Sequence, residues 1–174
     1  MEKRFENKYV RDENTAKEIY KYWFFKKPTM VAMYVILAVY TFFCILGLSF
    51  DFADAREFIL PFICALMIPV LMTVSYRSQV KTMANRDKEM ANGGELLCEI
   101  SVNDNEFTVA YFEGRNSIAM DNVKYAFQTK SYIAVITKAR LMVILKKDSF
   151  TVGDADSFIA FLKEKVIKVK GQKK

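Results

Sequence analysis

The feature that most limits what this chain can fold into is a pair of long uncharged runs. They are Thr29 to Phe50, TMVAMYVILAVYTFFCILGLSF, and Phe58 to Tyr76, FILPFICALMIPVLMTVSY. The runs hold 22 and 19 residues, with no acid and no base in either. A helix rises about 1.5 Å per residue and a bilayer's hydrocarbon core is about 30 Å thick, so each run is long enough to cross. In lipid the backbone can bond only to itself, so both runs are expected to be helices despite their many Val, Ile and Phe residues. Pro61 falls near the start of the second run, where a missing N–H costs little, and Pro69 falls mid-run, where a kink is expected. Two buried helices of a soluble core would have to be this long and this apolar twice in succession, which argues against that alternative.

The connector DFADARE is polar. Its Ala53-Asp54-Ala55 looks like a small-residue cleavage site, but the charged region before the first run spans 28 residues with five acids. The run also exceeds the roughly 7–15 residues of a signal sequence's apolar region, so it is read as an anchor. Lys17, Lys21, Lys26 and Lys27 precede the first run, and Arg77, Lys81, Arg86 and Lys88 follow the second. The connector offers only Arg56 against Asp51, Asp54 and Glu57. Positive charge stays on the cytoplasmic side, so the expectation is a multi-pass protein of the cell membrane with both termini cytoplasmic.

Four segments are expected. Residues 1–28 form a short strand and an amphipathic interfacial helix, and 29–76 the transmembrane hairpin. Residues 77–94 are a helical extension ending at Asn92-Gly93-Gly94, and 95–174 a β-domain with a C-terminal helix and a basic tail. Within the first segment, Phe5, Asn7 and Tyr9 alternate like a strand. Asp12 is placed to cap a helix whose positions Ala16, Ile19, Tyr20 and Trp23 share one face. That helix ends in YKYWFFKKP. Trp23, Phe24, Phe25, Lys26 and Lys27, with Arg77 and Lys81 beyond the second run, are the candidate membrane-interface residues, rings and cations at headgroup level. Rings beside lysines also suit nucleic acid, but one residue before a span the interface reading is preferred, and no nucleic-acid partner is expected.

From Glu95 the apolar period changes to two. Strands are expected at Leu96–Val102, Phe107–Phe112, Ile118–Phe127 (interrupted at Asp121-Asn122), Tyr132–Thr137 and Leu141–Leu145. Asn103-Asp104-Asn105, Glu113-Gly114-Arg115-Asn116 and Lys138-Ala139-Arg140 are read as turns. Asp154 caps a closing helix with the stripe Phe158, Phe161, Leu162 and Val166. Short turns between strands mean an antiparallel meander, bent into a partly open barrel that the helix plugs. The expected class is therefore an α+β membrane protein.

The net charge of +6 is uneven: Glu95 to Leu162 carries −2 and Lys163 to Lys174 carries +5. A basic tail fits an anionic lipid surface, and it equally fits a solvated terminus. The three cysteines, Cys44, Cys64 and Cys98, lack metal-site spacing and read as apolar filler.

Two spans, a β-meander and then KKDSFTVGDADSFIAFLKEK resemble the YcxB-like family of small bacterial membrane proteins. The residues that carry the likeness are Phe150, Gly153, Asp154, Phe158, Phe161 and Leu162, with the SIAMDNVKYAF and SYIAVI segments upstream. The resemblance implies a cytoplasmic domain of pleckstrin-homology-like architecture and brings no established activity to transfer onto residues. Such folds invite a phosphoinositide site, but here the first strand connection is Asn103-Asp104-Asn105-Glu106, which would repel a phosphorylated headgroup.

The chain has no histidine, which excludes imidazole bases, His-based triads and HExxH zinc sites. No Gly-rich phosphate loop occurs. Neither run carries an acid or base for ion or proton translocation. Asn103, Asp104 and Glu106 suit a hairpin turn better than a calcium loop, and Asp154 with Asp156 suit a helix N-terminus better than an acid/base pair. No cofactor or metal is expected. The function expected is a non-enzymatic, membrane-anchored interaction module whose partners are the lipid bilayer, its anionic surface and a membrane protein. The alternative, by analogy, is a protection protein against membrane-active peptides or envelope stress.

Overall fold

The computed structural model describes residues 3–49, 55–111, 114–165 and 167–171; inside the helices, the side chains of residues 48, 55–61, 64 and 65 are also outside the described set. Most of the expected connector, the Ala53-Asp54 site, Glu113, Val166 and the last two lysines therefore fall outside the described residues. The chain is α+β. In order it forms β1 (Phe5–Arg11), α1 (Glu13–Lys21), a π-helical turn (Tyr22–Lys26), α2 (Pro28–Ser49) and α3 (Ala55–Met90). Then follow β2 (Leu96–Val102), β3 (Glu106–Tyr111), β4 (Gly114–Ala119), β5 (Val123–Gln128), β6 (Tyr132–Thr137) and β7 (Met142–Lys146). The chain closes with β8 (Phe150–Val152), α4 (Ala155–Glu164) and β9 (Val169–Gly171).

These elements make two compact units, one from Met1–Ile19 with Met83–Lys174 and one from Tyr20–Thr82. The first holds two sheets, in the orders β4-β3-β2-β1-β8 and β7-β6-β5-β9. All pairings are antiparallel except β5 with β9. β1, expected in a separate N-terminal segment, lies inside the five-stranded sheet. It runs against β2 in unbroken register from Phe5↔Val102 to Arg11↔Leu96 and meets β8 on its other side. Alternation puts Phe5, Asn7 and Tyr9 of β1, and Leu96, Cys98, Ile100 and Val102 of β2, into the core.

The expected third strand divides at Met120–Asn122, a single 3₁₀ turn, and its halves join different sheets as β4 and β5. The interruption at Asp121-Asn122 is thus the corner at which the chain changes sheet. Gly114, Arg115 and Asn116, expected in a turn, pair with Tyr111, Ala110 and Val109. Their polarity is tolerated because β4 is an exposed edge strand. β6 is buried along its whole length. Helix α1 accounts for part of that cover: the Glu18 carboxylate accepts from the Ser131 amide at 2.7 Å, and Thr15 Oγ1 donates to Tyr132 Oη at 3.0 Å. Burial opposes the Glu18 charge, but the hydrogen bonds from Thr129 and Ser131 outweigh it and hold the carboxyl below its usual value.

Two polar side chains of β1 tie the sheets together. Asn7 is 1% exposed; its Nδ2 donates to the Lys146 carbonyl at 2.7 Å, and its Oδ1 accepts from the Lys146 amide at 3.1 Å. One side-chain amide so satisfies both backbone groups of a residue on β7, an edge strand. Two residues on, Tyr9 Oη donates to the Ile144 carbonyl at 2.8 Å.

The residues behind the family resemblance are packing residues. Phe158 meets the rings of Phe5, Phe107 and Phe150 at centroid distances of 5.3, 6.2 and 5.8 Å. Asp154 caps α4, accepting from the amides of Asp156 and Ser157, each at 2.9 Å. Gly153 has φ +74°, and a Cβ there would lie 2.5 Å from the Phe5 ring. A side chain at 153 is therefore excluded both by backbone conformation and by the ring beneath it.

At the far end of β1, Arg11 Nε lies 2.9 Å from Asp87 Oδ2, with the side chains 12% and 8% exposed. Burial raises the Asp87 carboxyl above its usual value, and the Arg11 guanidinium opposes that shift. α3 ends soon after, with Asn92 and Gly93 at positive φ and the Gly93 amide bonded to the Lys88 carbonyl.

Two outcomes follow. Asn7→Ala strands an amide and a carbonyl in the core and is expected to cost about 2–4 kcal/mol in a urea titration, whereas Lys8→Ala on the same strand's outer face changes stability little. Joining residues 3–19 to 83–171 through about twelve Gly/Ser residues, which reach roughly 20 Å, should give a monodisperse domain with one cooperative melt. The same construction lacking residues 3–11 should not fold, as read by circular dichroism.

Candidate membrane interface

Pro28 shapes the site. A residue before proline avoids the α region, and Lys27 is extended at φ −64°, ψ 130°. The preceding turn closes as a π turn, its last bond running from the Lys27 amide to the Tyr22 carbonyl at 2.9 Å. Pro28 then opens α2 at the position where a missing N–H costs nothing, and the Lys27 carbonyl accepts from Met30 and Val31.

The π turn presents Trp23, Phe24 and Phe25 as half-buried rings. Phe25 stacks on Tyr34 of α2 at 6.4 Å and 10°, and meets Tyr76 of α3 edge-on at 5.5 Å. Phe24 also meets Tyr76, at 6.2 Å. The Lys27 ammonium lies 4.7 Å over the Trp23 ring. Lys26 is exposed, as are Arg77 and Lys81, one helical turn apart on α3. The ring cluster thus has basic residues directly after it in both stretches of chain that build it: Lys26-Lys27 follow Phe25, and Arg77 follows Tyr76. Tyr34 and Tyr76 were not among the sequence candidates. The signal for Tyr76 was its place as the last apolar residue before Arg77; Tyr34 sits inside a run and carries no such signal.

Beyond the rings, α2 and α3 expose apolar side chains. Ile36 is 69% exposed, Phe43 63% and Val74 59%. The described α2 positions withdrawn from solvent are Met30, Met33, Tyr34, Leu37, Thr41, Cys44, Leu46 and Gly47, and all but Leu46 recur at three and four along one stripe. Among the described residues one helix is long and apolar enough to cross a membrane, Pro28–Gly47, with 6% of that stretch buried. Thr41, Ser49 and Thr73 return their hydroxyls to the carbonyls of Leu37, Ile45 and Pro69, so these polar groups are satisfied within their own helices. α3 runs through Pro69 as one continuous helix.

Burial pushes the Cys98 thiol up to about 11, which keeps it protonated near neutral pH. A shallow depression on the outer face of the larger sheet is lined by Lys3, Glu6, Glu99 and Arg115, and both of its carboxylates already meet lysines.

Trp23 is the chain's one tryptophan, so it reports on the site without interference. In lipid nanodiscs its emission is expected to shift to the blue. Lipids brominated near the glycerol should quench it more than lipids brominated at the chain end, as for a ring at headgroup level.

Comparison with family models, with curated proteins and with solved structures finds no match, so the likeness to YcxB-like proteins rests on the sequence features alone.

Proposed function

We propose that the chain is a non-enzymatic, membrane-anchored interaction module. α2 and the Phe58–Tyr76 part of α3 cross the cell membrane as a hairpin, the ring cluster sits at the cytoplasmic headgroups, and both termini are cytoplasmic. The pleckstrin-homology-like β-domain is held at the inner leaflet, where it engages a membrane protein partner.

The observation that carries this reading is the apolar surface of the two helices. Among the described residues, fifteen large apolar side chains between Val31 and Val74 stand exposed. At about 1 kcal/mol for each half-buried side chain, leaving them in water forfeits on the order of 15 kcal/mol. A domain's whole stability is about 5–15 kcal/mol, so a gain of that size supports a covering phase. Hydrocarbon is the phase that suits helices whose Thr41, Ser49 and Thr73 hydroxyls are bonded internally and whose runs hold no acid or base.

Carbonate washing of cell membranes should leave the chain in the pellet, and a carboxyl-terminal tag should resist protease until the cells are opened. Mild-detergent extraction should recover the chain with a specific membrane protein. Release into the carbonate supernatant would overturn the anchor. Recovery of this chain always alone, under conditions that keep known membrane assemblies intact, would overturn the interaction role.

A further inference from the structure

We propose that the segment Lys163–Lys170 is a docking strip for anionic phospholipid headgroups; the inference rests on the membrane reading above and adds to it the lipid class that the β-domain recognises. The fold gives the described residues of this segment, 163–165 and 167–170, a defined shape. After α4 ends at Glu164, Ile167 is buried and Val169 pairs with Ala126 in β9, so the alternate residues Lys168 and Lys170 are exposed. With Lys163 and Lys165 they make four exposed lysines in eight residues, against the single acid Glu164. None of the four forms an ion pair among the described residues, whereas lysines 3, 8 and 17 all meet glutamates.

Two of the ammonium groups are held over rings instead. Lys165 Nζ lies 5.7 Å from the Phe161 centroid, which Arg4 also approaches at 5.2 Å, and Lys170 Nζ lies 5.2 Å from that of Tyr125. A ring positions a cation without neutralising it, so the full charge stays available to an anion. Clustered, unneutralised lysines suit a diffuse negative surface, and the exposed apolar helices of the same chain favour a lipid surface over a nucleic acid.

The test uses the full chain in nanodiscs of phosphatidylglycerol or of phosphatidylcholine, with hydrogen exchange of residues 163–171 as the readout. Exchange is expected to be slower in phosphatidylglycerol, by roughly fivefold for each lysine held at the surface, and the difference should vanish at high salt. The variant K165Q/K168Q/K170Q should lose the difference while α4 keeps its protection, which separates lost docking from lost folding. Equal exchange in the two lipids at low salt would overturn the strip. So would tight binding of an RNA oligonucleotide by the strip with no difference between lipids. If the chain does not enter nanodiscs, the hairpin reading fails instead, and the strip is judged by co-sedimentation of the chain and its triple variant with phosphatidylglycerol vesicles.

Discussion

The β-domain depends on one ladder. β1 must find β2 across the 84 residues from Asp12 to Glu95, and it does so over seven consecutive pairs. Were the intervening chain free, closing that loop would cost about 4 kcal/mol beyond a constant. The rest of the domain is built on the ladder's result. β8 pairs with the opposite side of β1, α4 packs its phenylalanines on Phe5, and β7 completes its edge with Asn7 and Tyr9. Phe5, Asn7 and Tyr9 all lie on one face of one strand, so a slip of one residue would turn all three outward together.

The buried polar groups of β1 specify geometry more than they add stability. An apolar side chain at position 7 could fill the space, but it could not satisfy the two backbone groups of Lys146 on the other sheet. Arg11 and Asp87 act similarly at the strand's other end, where a guanidinium and a carboxylate are both largely withdrawn from water. Such a pair offers little net stability once desolvation is counted, while loss of one member strands the other's charge. It penalises any arrangement in which the last turns of α3 are not against the end of β1. That the carboxyl is still pushed above its usual value shows that desolvation outweighs the guanidinium's attraction at this site.

Much of this was legible in the residues, for local reasons. Period-two alternation located β2, β3 and β6, and the cap-plus-stripe pattern located α4. The rings and lysines before Pro28 marked the ring cluster, although the π turn that arranges them follows from Lys27 preceding a proline. What was not legible depended on distant partners. The alternation of Phe5, Asn7 and Tyr9 said strand but not interior strand, because its neighbours lie some ninety residues on in β2. Gly114-Arg115-Asn116 has turn composition and became a strand because a sheet edge tolerates polar residues. β9 has three residues and a parallel partner, too short for a period to show. Tyr34 gained its place in the cluster only through the stacking of Phe25.

The interior position of β1 has a consequence for how the protein is made. Synthesis runs from the amino end at about 5–20 residues per second, so the interval between completing Arg11 and reaching Leu96 is roughly 4–17 s. For that time the first strand has no β2 to pair with, while the two long helices are being made behind it. The ladder of β1 and β2 cannot form until both have been synthesised. Its assembly therefore waits on the synthesis of both helices: a copy truncated between them carries an orphaned strand, a natural flag for chaperones and proteases.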